Sequence, residues 1–195
     1  MWNERYNEPG FAYGTEPNEF LAAMVSRLPS GGRVLCLAAG EGRNAVFLAR
    51  QGFEVHAVDA SEVGVEKTRA LAAESGVVVT AQQADLRHFP LGEACWDGII
   101  SIFCHLPPDL RRDVHTRAVS ALAPGGALLL EAYNRTQLTY GTGGPPVEAM
   151  LMTKEGLQDE LSGLSLEHLE AVERQVVEGR YHTGLAAVVQ VIGRR

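Results

Sequence analysis

The strongest chemical signal in this chain is two glycines followed at a fixed distance by a carboxylate. Gly40 and Gly42 sit where an apolar run, Val34-Leu35-Cys36-Leu37, gives way to Ala38-Ala39-Gly40-Glu41-Gly42-Arg43-Asn44-Ala45, and Asp59 closes the next apolar run. Glycines let a backbone pass close to a bound molecule, and a carboxylate at the end of the second strand accepts both hydroxyls of a ribose. The pattern points to a nucleoside-containing ligand; the alternative is that the glycines make only a tight turn and Asp59 only caps a helix. Ligands of open α/β sheets lie beyond the carboxyl ends of the strands. That rule selects a second group of residues: Phe103-Cys104-His105, residues 133–146 beginning at Tyr133, and Arg180-Tyr181-His182. His105 is the candidate general base, because a neutral imidazole takes a proton from an oxygen, nitrogen or thiol. The alternative is a histidine that only bonds the helix start near Asp109. Arg180 and His182 are candidates for holding an anionic acceptor, or are simply a polar turn.

These residues need a scaffold, and the apolar periodicity supplies one. Phe20, Leu21, Met24, Val25 and Leu28 form a helical stripe entered through Thr15 and Pro17 and stopped at Pro29. Strands are predicted over 34–37, 54–58, 77–80, 96–103 and 127–131, and helices over about 43–51, 61–75 and from Pro107-Pro108-Asp109 onward. Such alternation implies a mostly parallel sheet with helices on both faces, an α/β doubly wound architecture. Gly141-Thr142-Gly143-Gly144-Pro145-Pro146 reads as a mobile loop that includes neither helix nor central strand. Leu157, Leu161 and Leu164 mark a helix opened by Thr153. Leu166, Leu169, Val172 and Val176 keep a helical spacing where the topology wants a strand, somewhere within 168–177, to pair with the apolar run 185–192.

Composition bounds the rest. The chain has 195 residues, 46% of them hydrophobic and 21% charged, enough for one continuous core and one domain over residues 1–195. Seventeen basic against 24 acidic residues leave a net charge of -7, which removes the attraction that nucleic acid or an anionic membrane would need. Cys36, Cys95 and Cys104 form no C-x-x-C pair and are odd in number, as expected of a reducing cytoplasm and with no metal centre implied. Cys36, inside an apolar strand, reads as a small core residue. His56, His88, His115 and His168 lack metal-ligand spacing. The cation Arg43 opens a helix against its dipole and so needs a partner such as Glu41, Glu131 or an anionic substrate. Tyr140 belongs to a lid or to the surface. The amino terminus has no apolar leader and no window approaches ~18 consecutive apolar residues, so neither secretion nor membrane insertion is expected; oligomeric state is not readable.

Gly40-Glu41-Gly42-Arg43-Asn44-Ala45 also satisfies the G-x-G-x-x-A form of the dinucleotide fingerprint. Four features weigh against a nicotinamide cofactor: a helix before the first strand, no second mononucleotide half, Ala84-Asp85-Leu86 after the third strand, and Pro124-Gly125-Gly126 before the fifth. Together these resemble the seven-stranded, class I methyltransferases that use S-adenosylmethionine. Phe47-Leu48-Ala49 and Gly52, with the amino-terminal Trp2, Arg5-Tyr6, Tyr13-Gly14 and Pro17, resemble the tellurite-resistance and thiopurine-methyltransferase-like branch. The resemblance implies a Rossmann-like sheet of order 3-2-1-4-5-7-6 with strand 7 antiparallel, and residues 1–30 folded over the cofactor. It also implies the Ala38, Gly40, Gly42 and Asn44 loop against the methionine part, Asp59 and Ala60 at the ribose, and Ala84, Asp85 and Leu86 around the adenine. Tyr13, Phe103 and Tyr133 are aromatic candidates for the sulfonium, whose charge suits ring faces. The implied reaction is methyl transfer to a small acceptor, a thiol, chalcogen oxyanion or other soft nucleophile, leaving S-adenosylhomocysteine and using no metal. The chain departs from the branch where Cys36 and Ala38 stand in place of an acidic residue and a glycine, so Glu41 or backbone carbonyls must meet the methionine ammonium group. That departure keeps a cofactor-binding module without catalysis as an alternative, and a small nicotinamide-dependent oxidoreductase as a further one.

Overall fold

Residues 34–37 alternate their side chains between two apolar environments, and both faces of the strand are covered. Val34 and Cys36 pack with Leu21, Ala45 and Leu48, whereas Leu35 and Leu37 pack with Val114, Ala118 and Leu157. A period of two on a strand buried on both sides requires a helical layer above and another below. The computed structural model describes residues 2–195. Its elements are α1 (Trp2–Tyr6), α2 (Glu19–Met24), β1 (Arg33–Leu37), α3 (Arg43–Arg50), β2 (Glu54–Asp59), α4 (Glu62–Glu74), β3 (Val79–Gln83), β4 (Trp96–Ile102), α5 (Pro108–Ala121), β5 (Leu122–Tyr133), α6 (Lys154–Glu160), β6 (Ser165–Glu178) and β7 (His182–Arg194). One sheet contains all seven strands in the order β3-β2-β1-β4-β5-β7-β6. The first five are parallel, and β7 runs antiparallel to both β5 and β6. The expected doubly wound α/β sheet and its strand order are therefore present. Helix starts follow local chemistry: Asn18, Ser61 and Thr153 each accept a backbone N–H three residues on.

Three elements differ from expectation, each for a physical reason. The third strand begins at Val79 instead of residue 77, because the Val77 N–H still donates to Ala72 O and wraps the end of α4, leaving Val78 exposed. The fifth strand begins at Leu122, since Pro124-Gly125-Gly126 forms an irregularity within it, with Gly125 at φ 80°. The helical spacing of residues 166–176 belongs to a strand. The register slips between Leu166 and His168, so Leu166 and Leu169 reach the same face although three residues apart. Val172 and Val176 pack on the opposite face, with Tyr133 and Val188.

Beneath the carboxyl end of the sheet lies a polar cluster that residue patterns did not reveal. Glu131 is fully buried and accepts from Arg174 Nη2 at 2.6 Å, Asn18 Nδ2 at 2.7 Å and Gln190 Nε2 at 2.5 Å. Glu178, also buried, accepts from Arg43 Nη2 at 2.5 Å and from Asn18 Nδ2 at 2.9 Å. One asparagine amide thus joins two carboxylates from different strands. An interior carboxylate is tolerated only while paired, so removing its cation costs about 3–5 kcal/mol. Arg174→Met is expected to lower unfolding free energy by about that amount in a urea titration, and a loss below about 1 kcal/mol would show that Glu131 is held adequately by Asn18 and Gln190 alone.

Candidate active site

The turn after β1 is forced into a shape that few side chains tolerate. Ala38, Gly40 and Gly42 take φ of 47°, 59° and 90°, the left-handed region. A Cβ on Gly42 would lie 2.6 Å from Thr68 Cγ2 and 2.8 Å from Thr68 Cα, and one on Gly64 would lie 2.7 Å from Gly40 O. The glycines let α4 approach the loop. Asp59 then fastens the loop from the end of β2: Oδ2 accepts the Gly40 N–H at 2.7 Å and Oδ1 accepts the Ser61 N–H at 2.8 Å. Burial raises the Asp59 carboxyl above its ordinary value, and the backbone N–H groups of Ser61, Gly40 and Ala60 oppose that rise. A carboxylate offers about four lone-pair sites, so two such bonds leave acceptor capacity on the open side.

That open side is a cavity of about 500 Å³. Its floor is the loop, with Ala38, Gly40, Glu41 and Asn44; next to it come Asp59 and Ala60, then Ala84, Asp85 and Leu86. The tip of β4 adds Ile102, Phe103, Cys104 and His105. Phe103 takes φ 52°, which turns its ring back over the strand end, where it stacks on Tyr133 at 4.6 Å between centroids. The remaining walls come from the amino-terminal segment through Trp2, Arg5, Tyr6 and Tyr13, from residues 143–146 with Met150, and from Tyr181 and His182.

Several candidates hold positions other than those the sequence suggested. Tyr133, Gly42 and Arg180 do not line the cavity. Tyr133 stands behind Phe103, and Gly42 faces Thr68. Arg180 points outward, bonding Pro9 O and pairing with Glu8 at 3.1 Å. His105 reaches the cavity with both ring nitrogens occupied: Nδ1 donates to Phe103 O at 3.1 Å and Nε2 accepts the Tyr133 N–H at 3.0 Å. Enclosure lowers its pKa to about 4, and the lone pair a base needs is spent on the backbone. In this geometry His105 is a latch between β4 and β5. Asn44 lines the cavity, but its Oδ1 accepts the Asn18 N–H at 2.9 Å. The carboxylate that pairs with Arg43 is Glu178, not Glu41 or Glu131. Cys36 is buried in the core, and burial pushes its thiol up to about 12.

Glu41 also has a task that its place in the loop did not announce. Its Oε2 accepts the Ala12 N–H at 2.7 Å and its Oε1 pairs with Lys67 Nζ at 2.8 Å. Lys67 donates in addition to Gly10 O at 2.6 Å and Glu8 O at 3.2 Å. The pair therefore ties residues 8–12 down over the cavity, with Tyr6 edge-on to Tyr13 and Arg5 donating to Tyr13 Oη at 2.9 Å. The wall formed by Gly143, Gly144, Pro145 and Pro146 falls within the segment 133–146 that the strand-end rule selected, whereas Met150 beside it carried no sequence signal. Lys67→Met removes two bonds to this segment and the ion pair with Glu41, and is expected to speed limited tryptic cleavage at Arg5 roughly tenfold, whereas an unchanged rate would mean the aromatic contacts and the Glu41 bond to Ala12 hold it.

Comparison with known proteins agrees with this architecture. A family described as "Methyltransferase domain" matches residues 34–126. A 23S rRNA (uracil(1939)-C(5))-methyltransferase, RlmD of Halomonas elongata, is 46% identical over 76 residues, 39% of this chain and 15% of that protein. The thiopurine S-methyltransferase of Bordetella petrii is 31% identical over 140 residues, 70% of this chain and 60% of that protein. Among solved structures, TehB from Haemophilus influenzae superimposes with a TM-score of 0.74 at 16% identity, over 91% of this chain and 61% of that one. The chain thus spans less than two thirds of the length of these curated relatives. The strand order and the reversed seventh strand are those of the class I methyltransferase fold, and residues 34–126, which include the glycine loop and Asp59, match a methyltransferase domain.

Proposed function

We propose that this chain, acting as a single domain over residues 1–195, transfers a methyl group from S-adenosylmethionine to a small-molecule acceptor bearing a soft nucleophile, a thiol or a chalcogen oxyanion. The observation that carries the reading is Asp59, held rigid by two backbone N–H groups at the wall of a cavity whose volume suits a nucleoside joined to an amino acid. The residues present fit that group. The remaining lone pairs of Asp59 meet the ribose diol, Ala84, Asp85 and Leu86 flank the adenine, and the strained loop from Ala38 to Gly42 receives the methionine part. With Cys36 in the core and Glu41 neutralised by Lys67, loop carbonyls accept from the ammonium group.

When bound, the cofactor supplies an electrophilic methyl group on a positively charged sulfur. The aromatic faces of Phe103 and Tyr13 favour such a charge by about 0.5–2 kcal/mol each. The walls at residues 2–13 and 143–146 confine the acceptor and exclude water, and alignment of this kind supplies roughly 7–11 kcal/mol of a transfer barrier. A cavity closed on that side favours small acceptors, and the likeness to a thiopurine S-methyltransferase and to TehB supports a soft nucleophile. The likeness to an RNA enzyme covers only 39% of this chain, and a net charge of -7 works against a phosphate backbone.

Isothermal calorimetry with S-adenosylhomocysteine is expected to show saturable binding that weakens by about 1.5–3 kcal/mol in Asp59→Ala, as two charge-assisted bonds are lost. No binding to the unaltered chain would overturn the reading. Turnover is then scored by mass spectrometry across thiols, selenite, tellurite and thiopurines; a methylated product separates an enzyme from a cofactor-binding module.

A further inference from the structure

With His105 committed to the backbone, the cavity has one other imidazole, His182, and its surroundings are unusual. The ring is wedged among Tyr13, Phe103 and Tyr133, with centroids at 4.4, 4.8 and 5.3 Å. Its Nδ1 is enclosed without a hydrogen bond and lies 3.8 Å from Glu178 Oε2, across the turn that joins β6 to β7. Glu178 cannot drift toward or away from it freely, because Arg43 and Asn18 hold the carboxylate at 2.5 and 2.9 Å. His182 lines the cavity, and the Cδ2 edge of its ring faces Gly143, itself a cavity residue.

We propose that His182 is the proton acceptor for the methyl acceptor, with Glu178 as its positioning residue, and that the substrates of this site are nucleophiles that arrive protonated, thiols first among them. The inference rests on the methyl-transfer reading above. An enclosed ring nitrogen without a partner is costly, and the charged group across from this one is the Glu178 carboxylate. With the proton on Nδ1 and the lone pair on Nε2, the ring presents its N–H to the Glu178 side, and the carboxylate favours the imidazolium formed when Nε2 takes a proton. In the step itself Nε2 takes the S–H proton, and the freed electron pair on the acceptor sulfur forms the new S–CH3 bond. The electron pair of the broken methyl–sulfonium bond stays on the departing neutral thioether. The imidazolium then returns its proton to water.

The charges around His182 favour the form a base needs. Burial lowers its pKa, Glu178 opposes this, and the guanidinium groups of Arg43 and Arg5 lower it further. His105, Tyr13 and Tyr133 complete the titratable groups facing it, and none brings a negative charge at neutral pH. A group whose pKa is depressed below the usual 6.5 stays unprotonated and ready through neutral pH, and loses basicity only on acidification below that value.

The test compares a weakly acidic thiol, 2-mercaptoethanol, with one already ionised at neutral pH, 4-nitrothiophenol. His182→Gln is expected to lower kcat/KM for the first by about 100-fold or more, and the loss should shrink steadily as the acceptor's own acidity rises. A loss of equal size for both thiols would overturn the proposal. The unaltered protein provides a second measurement: with 2-mercaptoethanol, kcat/KM should level off above an acid limb lying below pH 6.5, and a continuous rise toward the thiol's own pKa would overturn it. A third readout needs no turnover. In the dead-end complex with S-adenosylhomocysteine, the near-ultraviolet thiolate band of bound thiophenol should appear at lower pH than in His182→Gln, by at least one pH unit, or roughly tenfold in the ionisation constant. Coincident titrations would refute the role. Saturable binding of S-adenosylhomocysteine together with any of these failures rejects the base and leaves the methyl-transfer reading standing.

Discussion

Two buried carboxylates with one asparagine amide between them set the geometry of the catalytic end of this molecule. Glu131 at the end of β5 and Glu178 at the end of β6 would repel each other and the apolar interior if left alone. The two N–H groups of Asn18 reach both of them, and Arg174 and Arg43 neutralise them. Asn18 is also the cap of α2, and its own N–H donates to Asn44 at the start of α3. The entry of the amino-terminal segment, the helix α3 that follows the glycine loop and the β6–β7 turn are therefore registered against one another by a buried network of charge-assisted hydrogen bonds.

The glycine loop depends on a second constraint of a different kind. Ala38, a non-glycine at φ 47°, strains the turn that Gly40 and Gly42 make without penalty, and Asp59 steadies it by accepting the Gly40 N–H from an adjacent strand. In the proposed reading the same carboxylate meets the ribose diol, so the interaction that stabilises the turn would also orient the binding group. Glu41, the residue between the two glycines, extends the coupling outward through Ala12 and Lys67 to the segment over the cavity. Occupancy of the loop and closure of the segment thus share a residue.

Much of this was legible in residue order because the signals were local. The turn at Gly40 and Gly42, Asp59 at a strand end, the helix caps at Ser61 and Thr153 and the alternation of apolar runs each depend on neighbours a few residues away. The misread elements failed where local and non-local preferences compete. Leu166, Leu169, Val172 and Val176 have a helix's spacing, and only pairing with β7, with a slip at Glu167, makes a strand of them. Arg43 needed a partner on dipole grounds, but the partner, Glu178, is 135 positions away. His105 had the right position for a base, and a backbone N–H from the neighbouring strand takes its lone pair.

The amino-acid order by itself determined which side chains are apolar, where the backbone can turn and which carboxylate follows which strand, since these follow from side-chain volume, φ preference and spacing. Tertiary structure alone decided which polar groups face one another in the interior. That choice turned His105 into a latch, left His182 beside Glu178, and made Glu41 an anchor. Its physical reason is that a buried donor or acceptor must find whatever partner the packed chain brings within about 3 Å, and packing brings residues together without regard to their separation in sequence.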